Sequence, residues 1–285
     1  MIKNLTPLPN IIIEPLIRRA FEEDLGRGGD ITTDNVIPID KKSTVEITAR
    51  GEGIVAGISV AELSFKLIDP NLKITQLKTD GVEVKQGDVI IKIEGNSRAI
   101  LTAERTALNF LGRMSGIATL TNKMVKEVGN YKMKVSSTRK TTPGMRALEK
   151  YAVKAGGGFN HRLGLDVGVM IKDNHIAIAG SITKAIRSAK ENIGHMVKIE
   201  CEVDNLEQLK EVLEEGVDII MLDNMSIKDM TTAIEMIDGR ATVEASGNIT
   251  LERIAEIAAI GIDLVSVGAL THSAPNFDIG LDFVA

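Results

Sequence analysis

At 285 residues the chain suits one large domain or two unequal ones, and 34 Lys and Arg against 39 Asp and Glu leave a net charge of −5. With 44% apolar and 26% charged residues it has an ordinary globular composition, which excludes global disorder, a collagen-like fibre and a polybasic nucleic-acid binder. Cys201 is the only cysteine, so neither an intrachain disulfide nor a cysteine-cluster metal site can form.

The chain opens on a helix expected around Glu14 to Asp24, followed by the Gly-rich polar turn EDLGRGGDITTD. Residues 43–57 alternate apolar and polar, with Val45, Ile47 and Ala49 on one face, which predicts strand, turn, strand. A short helix over Val60 to Ile68 comes next. Alternation then resumes through KITQLKTDGVEVKQGDVIIKIEG, broken at the turn signals Asp80-Gly81 and Gln86-Gly87. From Leu101 the period lengthens: Ala103, Ala107, Phe110, Leu111 and Met114 fall at helical spacing, predicting a long helix that crosses between domains.

Beyond it the chain repeats. Apolar runs end at Glu202, Asp223 and Glu244, a fourth ends at Gly268, and MKVSS (133–137) and VGVMIK (167–172) read as two earlier strands of the same series. Amphipathic helices lie between them. Asp204 with Glu207 and Ser226 with Asp229 resemble N-terminal caps, and Gly216 and Gly261 mark helix ends. Strand and helix alternating at about 20 residues per unit predict parallel strands joined by right-handed crossovers. The expected fold is α/β: an incomplete parallel α/β barrel preceded by a small α+β open-sandwich domain. Expected boundaries are 1–115 and 116–275, with the tail 276–285 packing back on the first domain. A doubly wound open sheet is the rival, since period alone cannot distinguish closure.

Function in such architectures collects at the carboxyl ends of strands. Those positions here carry Arg139, Lys140, Lys172, Glu202, Asp223, Glu244, the Ser246-Gly247-Asn248 turn and Gly268. Charge is segregated too: residues 132–173 hold nine Lys or Arg and three acids within an acidic chain, which implies an anionic partner. Arg146, Lys150 and Lys154 share one helix face and read as solvated decoration. Arginine forks suit carboxylates, and lysine supplies a compact charge for phosphate. Nucleic acid is excluded as a partner, because a net-acidic chain with no Trp and 2 Tyr offers no stacking surface.

The acids Glu202, Asp223 and Glu244 could ligate magnesium or accept hydrogen bonds from sugar hydroxyls; ion pairing with neighbouring cations is the bland alternative, and for Glu244 it weighs as much as function. Of the histidines, His161 beside Arg162 is the functional candidate, His272 could approach a phosphate, His175 reads as a loop or capping residue, and His195 belongs to a turn. Cys201 reads as a small core residue. Backbone amides after Ser246-Gly247-Asn248 and Gly268 suit a phosphate. The residues themselves therefore indicate a barrel enzyme acting on small anionic substrates, one of them phosphorylated.

The strings EDLGRGGDITTD, LTAERTALNFLGRMSGIAT, STRKTTPGMRALEKYAVKAGGGFNHRLGL, IKDNH, MLDN, VEASGNIT and VGALTHSAP, in this order, resemble the quinolinate phosphoribosyltransferase family. The resemblance implies transfer of a phosphoribosyl group from phosphoribosyl pyrophosphate to quinolinate with decarboxylation, giving nicotinate mononucleotide, pyrophosphate and CO2 for NAD synthesis. By motif position it implies that Arg139, His161, Arg162 and Lys172 line the quinolinate pocket and that Arg105 reaches in from a partner subunit. Lys140, Glu202 and Asp223 would hold the second substrate and its magnesium, and Thr141 is a further expected substrate-binding residue. Ser246, Gly247, Asn248 and Gly268 would cradle a 5′-phosphate, with His272 nearby. Lys140, Lys172, Glu202 and Asp223 are the expected catalytic set, and Glu202 and Asp223 the metal ligands, directly or through water. A homodimer with shared sites is implied, with a hexamer as the higher assembly.

The absence of an apolar run of roughly 18 residues argues against a membrane span, and the opening residues lack a secretory pattern, so the expected setting is the reducing cytoplasm. Three rival functions are a related transferase using another pyridine-like acid, a sugar-phosphate lyase with Lys172 as Schiff base, and a lipoyl-type carrier built on DGVEVKQGDVIIKIEG, which lacks a modifiable lysine at a hairpin tip.

Overall fold

A computed structural model describes residues 5–284 as two compact units. The first unit opens with α1 (Asn10–Leu25), which buries Ile13, Ile17 and Phe21 one turn apart. Helix α2 (Ile31–Val36) is capped by Asp30, whose side chain accepts from the Thr33 amide. Then follow β1 (Lys42–Ala49), β2 (Gly53–Ile54), α3 (Ile58–Ile68), β3 (Lys73–Gln76), β4 (Glu83–Val84) and β5 (Val89–Asn96). Strands β1, β5 and β3 are antiparallel, with fully buried Val45 and Ile47 opposite Ile93 and Ile91. Strands β2 and β4 form a separate ribbon.

Helix α4 (Ser97–Val128) is one 32-residue element and begins four residues before the expected start. After it come β6 (Lys134–Ser137), α5 (Arg146–Ala155), β7 (Phe159–Asn160), β8 (Val169–Ile171), α6 (Asp173–Ala179), α7 (Ile182–Asn192) and β9 (Ile199–Val203). The series continues through α8 (Leu206–Glu215), β10 (Ile219–Asp223), α9 (Ile227–Ile237), β11 (Thr242–Ser246), α10 (Leu251–Ala259), β12 (Leu264–Ser266), α11 (Ala269–His272) and β13 (Ile279–Phe283). Seven parallel strands in the order β7-β6-β12-β11-β10-β9-β8 make the incomplete barrel of the second unit; β7 and β8 are its edges. Six strands are expected from the sequence. The seventh, β7, has two residues after three glycines and therefore carries no period.

Packing groups the chain into two units that are each discontinuous in sequence. The first unit takes the chain up to Asn122, then Thr141–Gly157 and the residues from Ala269 onward; the second takes Lys123–Lys140 and Gly158–Gly268. The reason lies on α4. A Cβ at Gly116 would stand 2.0 Å from the Pro275 carbonyl oxygen, and one at Gly112 would stand 2.9 Å from that of Phe277, so glycines one turn apart let the C-terminal segment lie on the helix. Strand β13 then pairs antiparallel with β1, Ile47 opposite Leu281.

Arg113 on α4 ties the same pieces together. Its guanidinium donates to Glu149 Oε1 at 2.8 Å, to the Ala274 carbonyl at 2.9 Å and to that of Thr271. Glu149, fully buried, also accepts from the Thr142 amide and hydroxyl. Lys150, expected on a solvated face, is only 1% exposed, because α5 is packed on both sides with Leu148, Tyr151, Ala152 and Val153 also buried.

Candidate active site

In the second unit, the strand pleat sorts chemistry onto one face. Register places Glu202, Met221 and Glu244 in one row, with Asp223, Ser246 and Ser266 in the next. Cys201, Val203, Ile220, Leu222, Val243 and Ala245 alternate with them and are all buried. Burial pushes the Cys201 thiol up to about 12, which suits a core residue. Glu244 does not end its strand: β11 runs on to Ser246, leaving Glu244 mid-strand and 2% exposed.

Two acidic clusters result. At the strand ends, Glu202, Asp204 and Asp223 bring one carboxylate oxygen each within 4.8 Å of the others. Lys172, between β8 and α6 at the N-cap of α6, donates its ammonium to Glu202. Burial raises the Glu202 carboxyl above its ordinary range, and Lys172 opposes that rise. Asp204 is not the cap of α8; Asn205 is, accepting from the Gln208 amide, which leaves Asp204 to the cluster. The sequence reading missed this carboxylate by giving it a capping role.

Deeper lies the second cluster, His161, Glu200 and Glu244. His161 Nε2 is 2.9 Å from Glu200 Oε2 and 3.9 Å from Glu244 Oε1. Burial pushes the Glu244 carboxyl up to about 7, with the Glu200 charge adding to the rise and the Ser266 hydroxyl opposing it.

A cavity of about 400 Å³ is lined by Arg139, Arg162, Lys172 and His175, with Asp166 and the apolar Leu165, Val169, Met170 and Val197. Arg162 donates through Nη1 to the Gly168 carbonyl, and among the described residues its buried Nε has no hydrogen-bond partner. Burial, then the nearby Arg139 charge, lower the Arg162 pKa, while Glu200 supports the charged form. His175 accepts from the Lys172 amide at 3.0 Å, so it is the capping residue expected; it also lines this cavity, a second role the sequence reading did not give it.

Lys140, just past β6, is exposed and donates its amide to Thr138 Oγ1. Just past β10 and β11 respectively, Asn224 and Asn248 take positive φ values of 54° and 50°, and the Asn248 amide side chain donates to Asn224 Oδ1. Gly247 has φ 83°, and a Cβ there would meet Asn224 Oδ1 at 2.1 Å, so only glycine fits this turn. Gly268 follows β12 and is half-buried.

The remaining expected residues belong to the first unit. Arg105 is exposed and lines a cavity with Glu23, Asp24, Asn109 and Met145. Thr141 accepts from Arg146 Nε, and His272 pairs with the Ser273 hydroxyl at 2.6 Å.

A cationic cavity beside a carboxylate cluster at parallel strand ends suits two anionic small molecules, one carrying a cation or hydroxyls. Comparison with known proteins decides the family. The family models "Quinolinate phosphoribosyl transferase, N-terminal domain" and "Quinolinate phosphoribosyl transferase, C-terminal domain" match residues 30–115 and 117–282. The chain belongs to the quinolinate phosphoribosyl transferase family. It is 42% identical over 270 residues to a probable carboxylating nicotinate-nucleotide pyrophosphorylase of Bacillus subtilis, covering 95% of this chain and 93% of that protein. A Methanocaldococcus jannaschii protein of the same name is 44% identical over 278 residues, covering 94% and 96%. The structure of the Francisella tularensis nicotinate-nucleotide pyrophosphorylase is similar over all of both chains, with TM-score 0.93 and 41% identity.

Proposed function

We propose that the chain is a phosphoribosyltransferase that joins quinolinate to phosphoribosyl pyrophosphate, releasing pyrophosphate and CO2 and forming nicotinate mononucleotide for NAD synthesis. The observation that carries the reading is the meeting of the Arg139, Arg162 and Lys172 cavity with the Glu202, Asp204 and Asp223 cluster, bridged by the Lys172–Glu202 ion pair. Quinolinate carries two carboxylates, which forked arginines hold and orient. The ring nitrogen is thereby directed at the ribose anomeric carbon, where positive charge develops as pyrophosphate leaves. The quaternised ring then accepts the electron pair freed when the 2-carboxylate departs as CO2.

Three converging carboxylates are the hard oxygen donors magnesium takes, so Glu202 and Asp223, directly or through water, are the residues to hold it. When bound, the ion supplies charge that stabilises the leaving pyrophosphate. Lys140 and Thr141 would contact the pyrophosphate side, and Ser246, Gly247, Asn248, Gly268 and His272 the 5′-phosphate. The positive-φ turn at Gly247 supports the latter by exposing backbone amides. His161 accepts from the Arg162 amide, and its part is taken up below.

We read the working form as a homodimer, with Arg105 of the partner subunit completing the acid pocket and a hexamer as the higher assembly. Among the described residues no helix is long and apolar enough to cross a membrane. The lone, buried Cys201 fits a reducing cytoplasm.

The deciding experiment follows nicotinate mononucleotide and pyrophosphate from quinolinate plus phosphoribosyl pyrophosphate, with and without magnesium. Product only with metal and with quinolinate is the expected result; turnover of nicotinate instead would assign a different acceptor. Arg162→Ala should raise the quinolinate KM about 10- to 100-fold, the worth of one charge-assisted bond. Mixing Arg105→Ala with Lys172→Ala subunits should restore activity through hybrid dimers; no recovery under demonstrated exchange would rule out shared sites.

A further inference from the structure

The deep cluster contains a residue that the reaction above does not use. Glu200 is 4% exposed, and its Oε2 lies 2.9 Å from His161 Nε2. Among the described residues its other oxygen has no hydrogen-bond partner, so the hydrogen bond it makes goes to the imidazole.

The ring's other nitrogen fixes the proton. The backbone N–H of Arg162 donates to His161 Nδ1 at 2.8 Å. A nitrogen that accepts from an amide carries no proton, so the imidazole proton sits on Nε2 and is donated to Glu200. In this geometry the ring is neutral. It is also a poor candidate for a metal ligand, since ligation through Nε2 would displace that proton while Nδ1 still accepts.

A continuous chain of bonds follows: Glu200 carboxylate, His161 Nε2–H, His161 Nδ1, Arg162 amide. Arg162 then spans to the Gly168 carbonyl and lines the cavity. We propose that Glu200 is a positioning residue for the acid substrate, acting through the His161 ring to set the backbone from which the Arg162 guanidinium is presented. Its negative charge also supports Arg162 beside Arg139. The proposal rests on Arg162 binding quinolinate.

The test compares Glu200→Leu with Glu200→Gln, whose amide carbonyl can accept the same Nε2–H. The leucine variant should raise the quinolinate KM about 10-fold or more, as loss of supporting hydrogen bonds does elsewhere. Its KM for phosphoribosyl pyrophosphate should stay within about threefold, and glutamine should recover most of the loss. An unchanged quinolinate KM in the leucine variant, both KM values rising together, or a glutamine variant as impaired as leucine overturns the role. Nitrogen-15 histidine spectra of the wild-type protein without substrate give a readout independent of activity and of the folding of either variant. A neutral ring protonated on Nε2 is expected; an imidazolium or the opposite tautomer overturns the mechanism. Wild-type protein that fails to turn over quinolinate would sink the functional reading and leave this spectroscopic arm to be judged alone.

Discussion

One sheet face carries two groups of acids that differ in almost every physical respect. Glu202, Asp204 and Asp223 stand at strand ends, half-buried or exposed, with a lysine against one of them. Glu200 and Glu244 lie deeper, nearly sealed from solvent, with the His161 imidazole beside both. Residues of one chemical type on adjacent turns of the pleat thus acquire separate tasks, because depth decides whether a carboxylate can meet a solvated ligand or must be satisfied internally. The outer group can exchange Lys172 for substrate or cation. The inner group can exchange nothing and instead holds geometry.

That contrast can be broken most forcefully at the rim. Glu202→Gln combined with Asp223→Asn should cut kcat/KM about 10³-fold, the scale of lost electrostatic stabilisation, while thermal unfolding moves little. A folded double variant retaining near-wild-type rates would remove the rim from the chemistry. Chelation of magnesium should abolish turnover and leave the melting temperature of the ligand-free protein unchanged.

The inner group should show itself in stability instead. Glu244 titrates near 7 when folded, against 4.5 in an ordinary carboxyl, so its protonated form favours the native state. That contribution is complete below about pH 4.5 and disappears as pH rises through 7. Denaturant unfolding of the wild type at pH 5 and 7.5, beside Glu244→Gln, checks it. Glutamine should flatten the dependence; an identical slope in both proteins would assign it to other groups. The smallest effect belongs to Asp204, whose exposure limits its worth: Asp204→Asn should raise the magnesium requirement about threefold, read from activity against metal concentration.

Much of this was legible beforehand. Apolar runs spaced by helices announce parallel strands, and strand ends are where Arg139, Lys172, Glu202 and Asp223 stand. Alternation also puts Glu200 and Glu202 on one face and Cys201 on the other. What escaped depends on packing. Nothing local says that β11 continues for two residues past Glu244, or that Asn205 takes the cap and frees Asp204. The helical face of Lys150 looks solvated until α5 is seen covered on both sides. The Arg113 hub joins residues over 150 positions apart, and no sequence period encodes such a partnership.

Gly247 has a wider meaning than its own turn. With no room between its α-carbon and Asn224, the connections leaving two neighbouring strands are geared to each other, and neither can be redesigned alone. An alanine at 247 would need a smaller neighbour at 224 and would still sit at a φ natural only to glycine. Variation at these two positions should therefore be inherited jointly, and redesigning either loop means replacing both as a single cassette.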